Sequence, residues 1–176
     1  MNHAILKKLG VSSAAAVIVS AMLFGSSVAW AQQKSIKEQL VGTWSLVSAD
    51  STEKDGKKTA SFGAKPQGIL IFQANGYYSS TLLSGDRPKF ASGNRLKGTP
   101  EENAAAVHGS IAQFGTYSVD EKSKTLISKV EGSSFPNSAG ETQKRIITTL
   151  TADRLVYTNP ATTTGRVTDS VWRRVK

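Results

Sequence analysis

The 176-residue chain contains no cysteine. That excludes a disulfide-stapled scaffold, a thiolate metal site, a cysteine nucleophile and the lipid-carrying cysteine of a bacterial lipoprotein. It has two histidines, His3 and His108, too few for a three-histidine metal site or a histidine-rich centre. No P-loop, Gly-x-Ser-x-Gly, His-Glu-x-x-His or dinucleotide fingerprint occurs anywhere in it, so the common catalytic and cofactor frameworks are missing and neither cofactor nor metal is expected. Acids are scarce as well, 13 Asp+Glu against 22 Lys+Arg, for a formal net charge of +9. A basic excess suits nucleic acid, but here it is scattered over turns and strand ends with acids between, and no arginine–aromatic stripe forms a stacking platform. A solvated basic surface is the simpler reading, and no nucleic-acid partner is expected.

The longest largely apolar stretch lies near the N-terminus. Lys7 and Lys8 precede a stretch from Val11 to Gly25 made almost wholly of Ala, Val, Ile, Leu, Phe, Met and Ser, and Ala29-Trp30-Ala31 follows. A charged start, an apolar middle and a small-x-small exit spell a secretory signal peptide cleaved after Ala31. The apolar core is shorter than the roughly 20 residues that span a bilayer, so no stable membrane insertion is expected after cleavage. Residues 1–31 are thus expected to be a leader and 32–176 one domain, periplasmic or secreted and folded without disulfides.

The domain reads as strands. Ser35-Ile36-Lys37-Glu38 is a capping box that opens a short helix, with Gly42 as its stop. Thr43–Ala49 then alternates so that Trp44, Leu46 and Ser48 share a face, and Asp50–Lys58 reads as a turn. Gly68–Gln73 and Tyr77–Leu83 flank Asn75-Gly76, a strong hairpin signal. Ser84–Gly98 is a loop, and Thr99-Pro100-Glu101-Glu102 is a second capping box leading a helix through Val107. Further strands are expected at Ala112–Val119, Thr125–Gly132, Thr142–Thr151, Arg154–Thr158 and Val167–Val175. Many short sequential strands without a βαβ rhythm predict an all-β fold, an antiparallel up-and-down barrel of about eight strands with a short N-terminal helix and one helical insertion.

Particular stretches carry a resemblance. Gly42-Thr43-Trp44 is similar to the opening strand of lipocalins and of intracellular fatty-acid-binding proteins. Gly68-Ile69-Leu70-Ile71-Phe72 with Asn75-Gly76, Asp86-Arg87-Pro88-Lys89-Phe90, Gly98 to Glu102, Phe114 to Asp120 and Val130 to Asn137 widen it. From about Leu40 to Val175 the chain resembles the bacterial and fungal lipocalin-like domain family. The resemblance implies a barrel with a cavity, in which Trp44 plugs the floor under Arg174 or Arg173; it implies no single chemistry. Lys129 stands where a histidine is common, and Ser138 where an aromatic often follows Pro-Asn. In fatty-acid-binding proteins the last strand holds a carboxylate with Arg and Tyr, and those places fall on Ser170 and Trp172 here, so that clamp is missing.

A small barrel either fills its interior with side chains or holds one small ligand, so inward polar residues decide its function. Tyr78, Phe114, Tyr117, Phe135 and Tyr157 either line a pocket or pack the core, and Asn137 lies in the matching Pro-Asn stretch. Arg87 and Phe90 belong to the long insertion, expected at the barrel mouth, where Asp86 has Arg87 and Lys89 as salt-bridge partners. Arg145 alternates with Ile147 and faces either way; outward is the commoner placement, whereas inward it anchors a carboxylate. Glu131, Asp86 and Tyr78 are the acid/base candidates, Glu131 only if burial raises its pKa. His108, ending a helix, is stabilised there by the dipole. The reading is an exported barrel that binds a small, largely apolar molecule. The alternatives are an isomerase, cyclase or dehydratase on the same barrel, or a non-catalytic envelope protein with a filled interior. Oligomeric state stays open.

Overall fold

The computed structural model describes residues 34–53 and 55–176; the expected leader lies outside the described residues. In chain order the elements are α1 (Ile36–Leu40), β1 (Gly42–Thr52), β2 (Lys58–Ala60), β3 (Gln67–Phe72), β4 (Tyr77–Leu83), α2 (Pro100–His108), β5 (Ser110–Asp120), β6 (Thr125–Ser133), β7 (Thr142–Leu150), β8 (Arg154–Asn159) and β9 (Val167–Arg174), with a 3-10 turn at Pro136–Ser138. Every strand pairing is antiparallel. The order β2-β1-β3-β4-β5-β6-β7-β8-β9 closes through β1 on β9. The result is a closed eight-stranded up-and-down barrel with β2 as one extra strand.

β1 makes the closure possible by being long. Its first residues pair with β3, from Gly42 opposite Phe72 to Ser45 opposite Ile69. Its last residues pair with β2, from Asp50 opposite Ala60 to Thr52 opposite Lys58. Its other edge runs along β9 from Trp44 to Thr52. Closure leaves few unpaired backbone groups at strand edges, where chains otherwise aggregate. The stretch Asp50–Lys58 is therefore not a simple turn: the strand persists to Thr52 and returns at Lys58.

Three one-residue bulges set which side chains face inward. Between Leu46 and Ser48 the pairing with β9 advances by one residue, between Phe114 and Gly115 β6 carries an extra residue, and between Ile147 and Thr149 β7 does the same. The extra residues Val47, Glu131 and Thr148 are all exposed. A bulge flips the alternation beyond it. Ser48 consequently does not share the face of Trp44 and Leu46; Ala49 and Ser51 take the buried positions instead. Gly115 serves the β6 bulge directly, because a Cβ there would run into the Lys129 carbonyl oxygen.

The floor end is apolar and plugged. Leu40, Trp44, Leu126, Leu155 and Trp172 are fully buried there, and the Phe72 and Tyr117 rings pack with centroids 4.8 Å apart. α1 covers this end. Its capping box, Ser35 with Glu38, is formed, and Glu121 from the β5–β6 turn accepts the Ile36 and Lys37 amides at 2.9 and 3.1 Å. That carboxylate satisfies helix donors left without intrahelical partners. The Trp44 indole donates to the Leu40 carbonyl at 2.9 Å, tying α1 to β1. Arg174 lies over the Trp44 ring, 4.0 Å from its centroid. Gly42, at φ +128°, has no Cβ to occupy the space of the Arg174 guanidinium.

At the other end sits the insertion between β4 and β5, folded largely on itself. Glu102 accepts the Ala91 and Thr99 amides at 2.8 and 2.9 Å while its own amide is capped by Thr99. The Phe90 ring fills the space beside Gly98, and the Arg87 stem lies over Gly109. α2 buries none of its residues. Among the described residues no helix is long and apolar enough to cross a membrane.

Candidate functional site

The inward positions change character along the barrel. Towards the mouth they carry Ser51, Ser80, Gln113, Ser128, Thr168 and Ser170, all buried, with Gln143 and Arg145 half-buried beside them. β7 places Arg145 opposite Leu126, a fully buried core residue, so its side chain faces the interior. The commoner outward placement is corrected here. Ile146 and Ile147 adjoin in sequence, so hydrophobicity alone allows either face, and only the pairing with β6 chooses.

Arg145 is held from two sides. Its Nη2 donates to Gln143 Oε1 at 2.8 Å, and the same oxygen accepts Gln113 Nε2 at 3.0 Å. The guanidinium carbon also lies 5.7 Å from the Tyr157 ring centroid, within range of a cation–π attraction. Among the described residues the ion pairs are Lys58 with Asp169 and Arg166 with Glu53. Arg145 belongs to neither, so an inward positive charge stands without a carboxylate.

Two tyrosines flank this charge. Tyr78 on β4 is 4% exposed, and its hydroxyl is buried without a hydrogen-bond partner. Burial raises its pKa; the Arg145 charge and the neighbouring Ser128 hydroxyl oppose the rise. Tyr157 on β8 is raised for the same reason, again opposed by Arg145, with Trp172 and Ser170 beside its hydroxyl. Both phenols therefore stay protonated at neutral pH and act as donors and acceptors, not as charged bases.

The remaining candidates lie elsewhere. Tyr117 faces inward at the floor and donates to the Gln73 carbonyl at 3.0 Å, a tie across the barrel end. Phe114 points outward and is 55% exposed, because the β6 bulge sits opposite it and Gly132 packs under its ring. It lines an open groove of about 380 Å³ on the outer wall of β4, β5 and β6, not the interior. Phe135 and Asn137 are exposed beside the 3-10 turn, and Arg87 and Phe90 are used inside the insertion, Arg87 donating to the Ser84 carbonyl at 2.9 Å. Glu131 is the exposed bulge residue and Asp86 lies exposed in the insertion. The two carboxylates named for acid/base chemistry are thus both exposed on separate elements; of the two, Glu131 is felt by Tyr78, whose pKa its charge helps burial to raise.

Some residues of the interior cluster escaped the sequence reading: Ser128, Gln113 and Gln143. Ser128 had a signal, being the middle of Leu126, Ser128 and Val130 at strand spacing, a polar residue where the pattern demands an apolar one. Among the described residues no group of three His, Asp or Glu side chains stands close enough to hold a metal ion.

Fold and interior together define a small closed β-barrel whose floor is packed and whose mouth-side wall is polar, the layout of a ligand-binding barrel. The chain belongs to the lipocalin-like domain family, whose sequence profile matches residues 41–175. Solved structures similar to it include a lipocalin-like protein from Bacteroides uniformis ATCC 8492, 17% identical, covering 78% of this chain and 99% of that one at a TM-score of 0.42. A de novo designed fluorescence-activating β-barrel is 14% identical over 81% of this chain and 99% of its own, also at 0.42. A redesigned β-barrel, mFAP1, bound to DFHBI is 16% identical over 80% and 100%, at 0.38. No curated protein matches the chain.

Proposed function

We propose that the protein is an exported carrier that binds a small organic molecule inside the barrel, against the wall formed by Tyr78, Ser128, Arg145 and Tyr157. One observation carries the reading: a half-buried guanidinium and a buried phenol hydroxyl face the interior with most of their hydrogen-bonding capacity unused. Leaving such groups unmet costs stability, and a ligand that meets them recovers it. The apolar molecule suggested by the barrel resemblance and the missing carboxylate clamp becomes, on this wall, an amphipathic one. Its body rests against the half-buried Leu82 and Ile111, and its polar end turns toward Arg145. Export rests on the leader pattern at residues 1–31.

Native mass spectrometry of the protein purified from its own host tests this. The expected result is an adduct of a small organic molecule that survives gentle ionisation and is lost in Arg145→Met. A bare-mass protein from the host, which also shows no thermal shift with any member of a metabolite panel, would refute it.

A further inference from the structure

The geometry points to a single carboxylate as the polar end of the ligand, seated between the Arg145 guanidinium and the Tyr78 hydroxyl. This rests on the interior-binding reading above and specifies its chemistry.

The donor inventory makes the case. A guanidinium offers five N–H groups in a planar fork; among the described residues Arg145 donates one of them to Gln143 and has the Tyr157 hydroxyl beside it. A carboxylate takes two parallel N–H donors from such a fork. The Tyr78 hydroxyl, 4% exposed and unpartnered, supplies a third donor from the facing strand β4. Ser128 stands beside it. The charge balance agrees. Arg145 brings one positive charge into a wall whose other inward side chains, Ser80, Gln113, Ser128, Gln143, Tyr157 and Ser170, are neutral. One negative charge neutralises it, whereas a doubly charged phosphate would stay half uncompensated. A neutral amide fits worse again, because its NH2 group would face the donors of Arg145.

Gln143 is the positioning residue. Its Oε1 accepts from both Gln113 and Arg145, which fixes the amide orientation and holds the guanidinium in place. Tyr157 supports the guanidinium from beneath through its ring face. The cluster is therefore arranged before the ligand arrives, and little ordering is left for binding to supply.

NMR titration with matched probes tests the assignment: acetate against acetamide, benzoate against benzamide, and 3-phenylpropanoate against 3-phenylpropanamide. The Arg145 side-chain N–H and the residues around Tyr78 are followed as reporters. Each carboxylate is expected to bind at least about tenfold tighter than its amide, as charge-assisted hydrogen bonds are stronger than neutral ones. Arg145→Met should erase the preference, Arg145→Lys should keep part of it, and Tyr78→Phe should weaken the carboxylates by about threefold to tenfold. Tyr78→Phe and Gln143→Leu keep the test open if Arg145→Met does not fold. Gln143→Leu should lower carboxylate affinity while leaving amide binding unchanged, a split that general loss of structure does not produce. Equal interior binding of acid and amide, or a preference that survives Arg145→Met, overturns the carboxylate while leaving interior binding intact. If no probe of either kind shifts an interior resonance, both readings fall.

Discussion

Removing the Arg174 guanidinium tests how the barrel is closed. Its Nη1 donates to the Val41 carbonyl at 2.7 Å, its Nη2 to Gln39 at 2.5 Å and its Nε to Ala152 at 2.5 Å, while the same group covers the Trp44 ring at 4.0 Å. One side chain thus ties the end of β9 to the exit of α1, to the β7–β8 turn and to β1. The Ala152 bond lies at the surface, where water replaces it on mutation. The two half-buried bonds to Val41 and Gln39 are worth about 1.5 kcal/mol each as charged hydrogen bonds, and the indole contact about 1 kcal/mol more. Arg174→Met, which keeps the stem packing, should therefore cost about 4 kcal/mol, a fall in Tm on the order of 10 °C for a domain of this size. The assay is urea unfolding followed by tryptophan fluorescence, with Arg174→Lys recovering less than half, since a lysine has no planar fork to span carbonyls. A double-mutant cycle with Trp44→Leu, which removes the aromatic face, should leave about 1 kcal/mol of coupling. A loss below about 1 kcal/mol for Arg174→Met, the value of an ordinary surface contact, would refute the argument and leave β1–β9 pairing to close the barrel alone.

Gly115→Ala drives a Cβ into the Lys129 carbonyl oxygen and to 2.9 Å from the Glu131 amide, both backbone atoms, so denaturant melts should show a loss of about 3 kcal/mol; a near-neutral result would mean that the bulge can shift. The Glu102 carboxyl is held below its ordinary value by the Ala91 and Thr99 amides. Its contribution is complete above the unfolded glutamate value and disappears as pH falls through the depressed one. Amide exchange at Ala91 and Thr99 should accelerate in that acid window before the barrel amides exchange, and simultaneous exchange of both would count against an independently held insertion. Tyr78, Tyr117 and Tyr157 are all raised by burial. Folding is then favoured in full below the unfolded phenol value of about 10 and loses stability as pH rises above it. Urea midpoints should fall together with the growth of phenolate absorbance at 295 nm, and an unchanged midpoint during that growth would contradict the burial.

Local signals with a mechanism of their own translate directly into structure. The capping boxes at Ser35 and Thr99 form with both of their hydrogen bonds. Asn75-Gly76 makes the β3–β4 turn, Gly76 at φ +90° and Asn75 accepting the Tyr77 amide at 3.2 Å. Each depends on neighbours a few residues away. What the sequence hides is register. The bulges at Val47, Glu131 and Thr148 arise from pairing with strands far along the chain, and each reverses which residues point inward. Ser48 is displaced from the core face by the first. Glu131, beside Gly132 at a strand end, reads as a candidate acid because nothing local reveals it as the extra residue of the second. Arg145 is hidden by the adjoining Ile146 and Ile147, and only its place opposite Leu126 turns it inward.

Polar residues inside the barrel do not all mean the same thing, and their hydrogen bonds separate them. On the β1–β9 side Ser51 bonds Ser61 at 2.6 Å and Thr168 at 2.7 Å. That cluster satisfies itself, as buried polar groups in a finished core do. At the floor, the Trp44 indole likewise finds Leu40. Elsewhere in the interior, on β9 itself as well as on β4 and β7, the accounts do not close. Tyr78 Oη and Trp172 Nε1 are buried without partners, and Arg145 uses one donor on a neutral amide. A barrel shaped for stability alone would place leucine or valine at those inward positions, as it does at Leu126 and Leu155. The charge of Arg145 on β7 and the orphan hydroxyl of Tyr78 on β4 are the groups that the proposed interior ligand would meet. A ligand that meets those groups, as proposed, would raise the protein's stability with its own concentration.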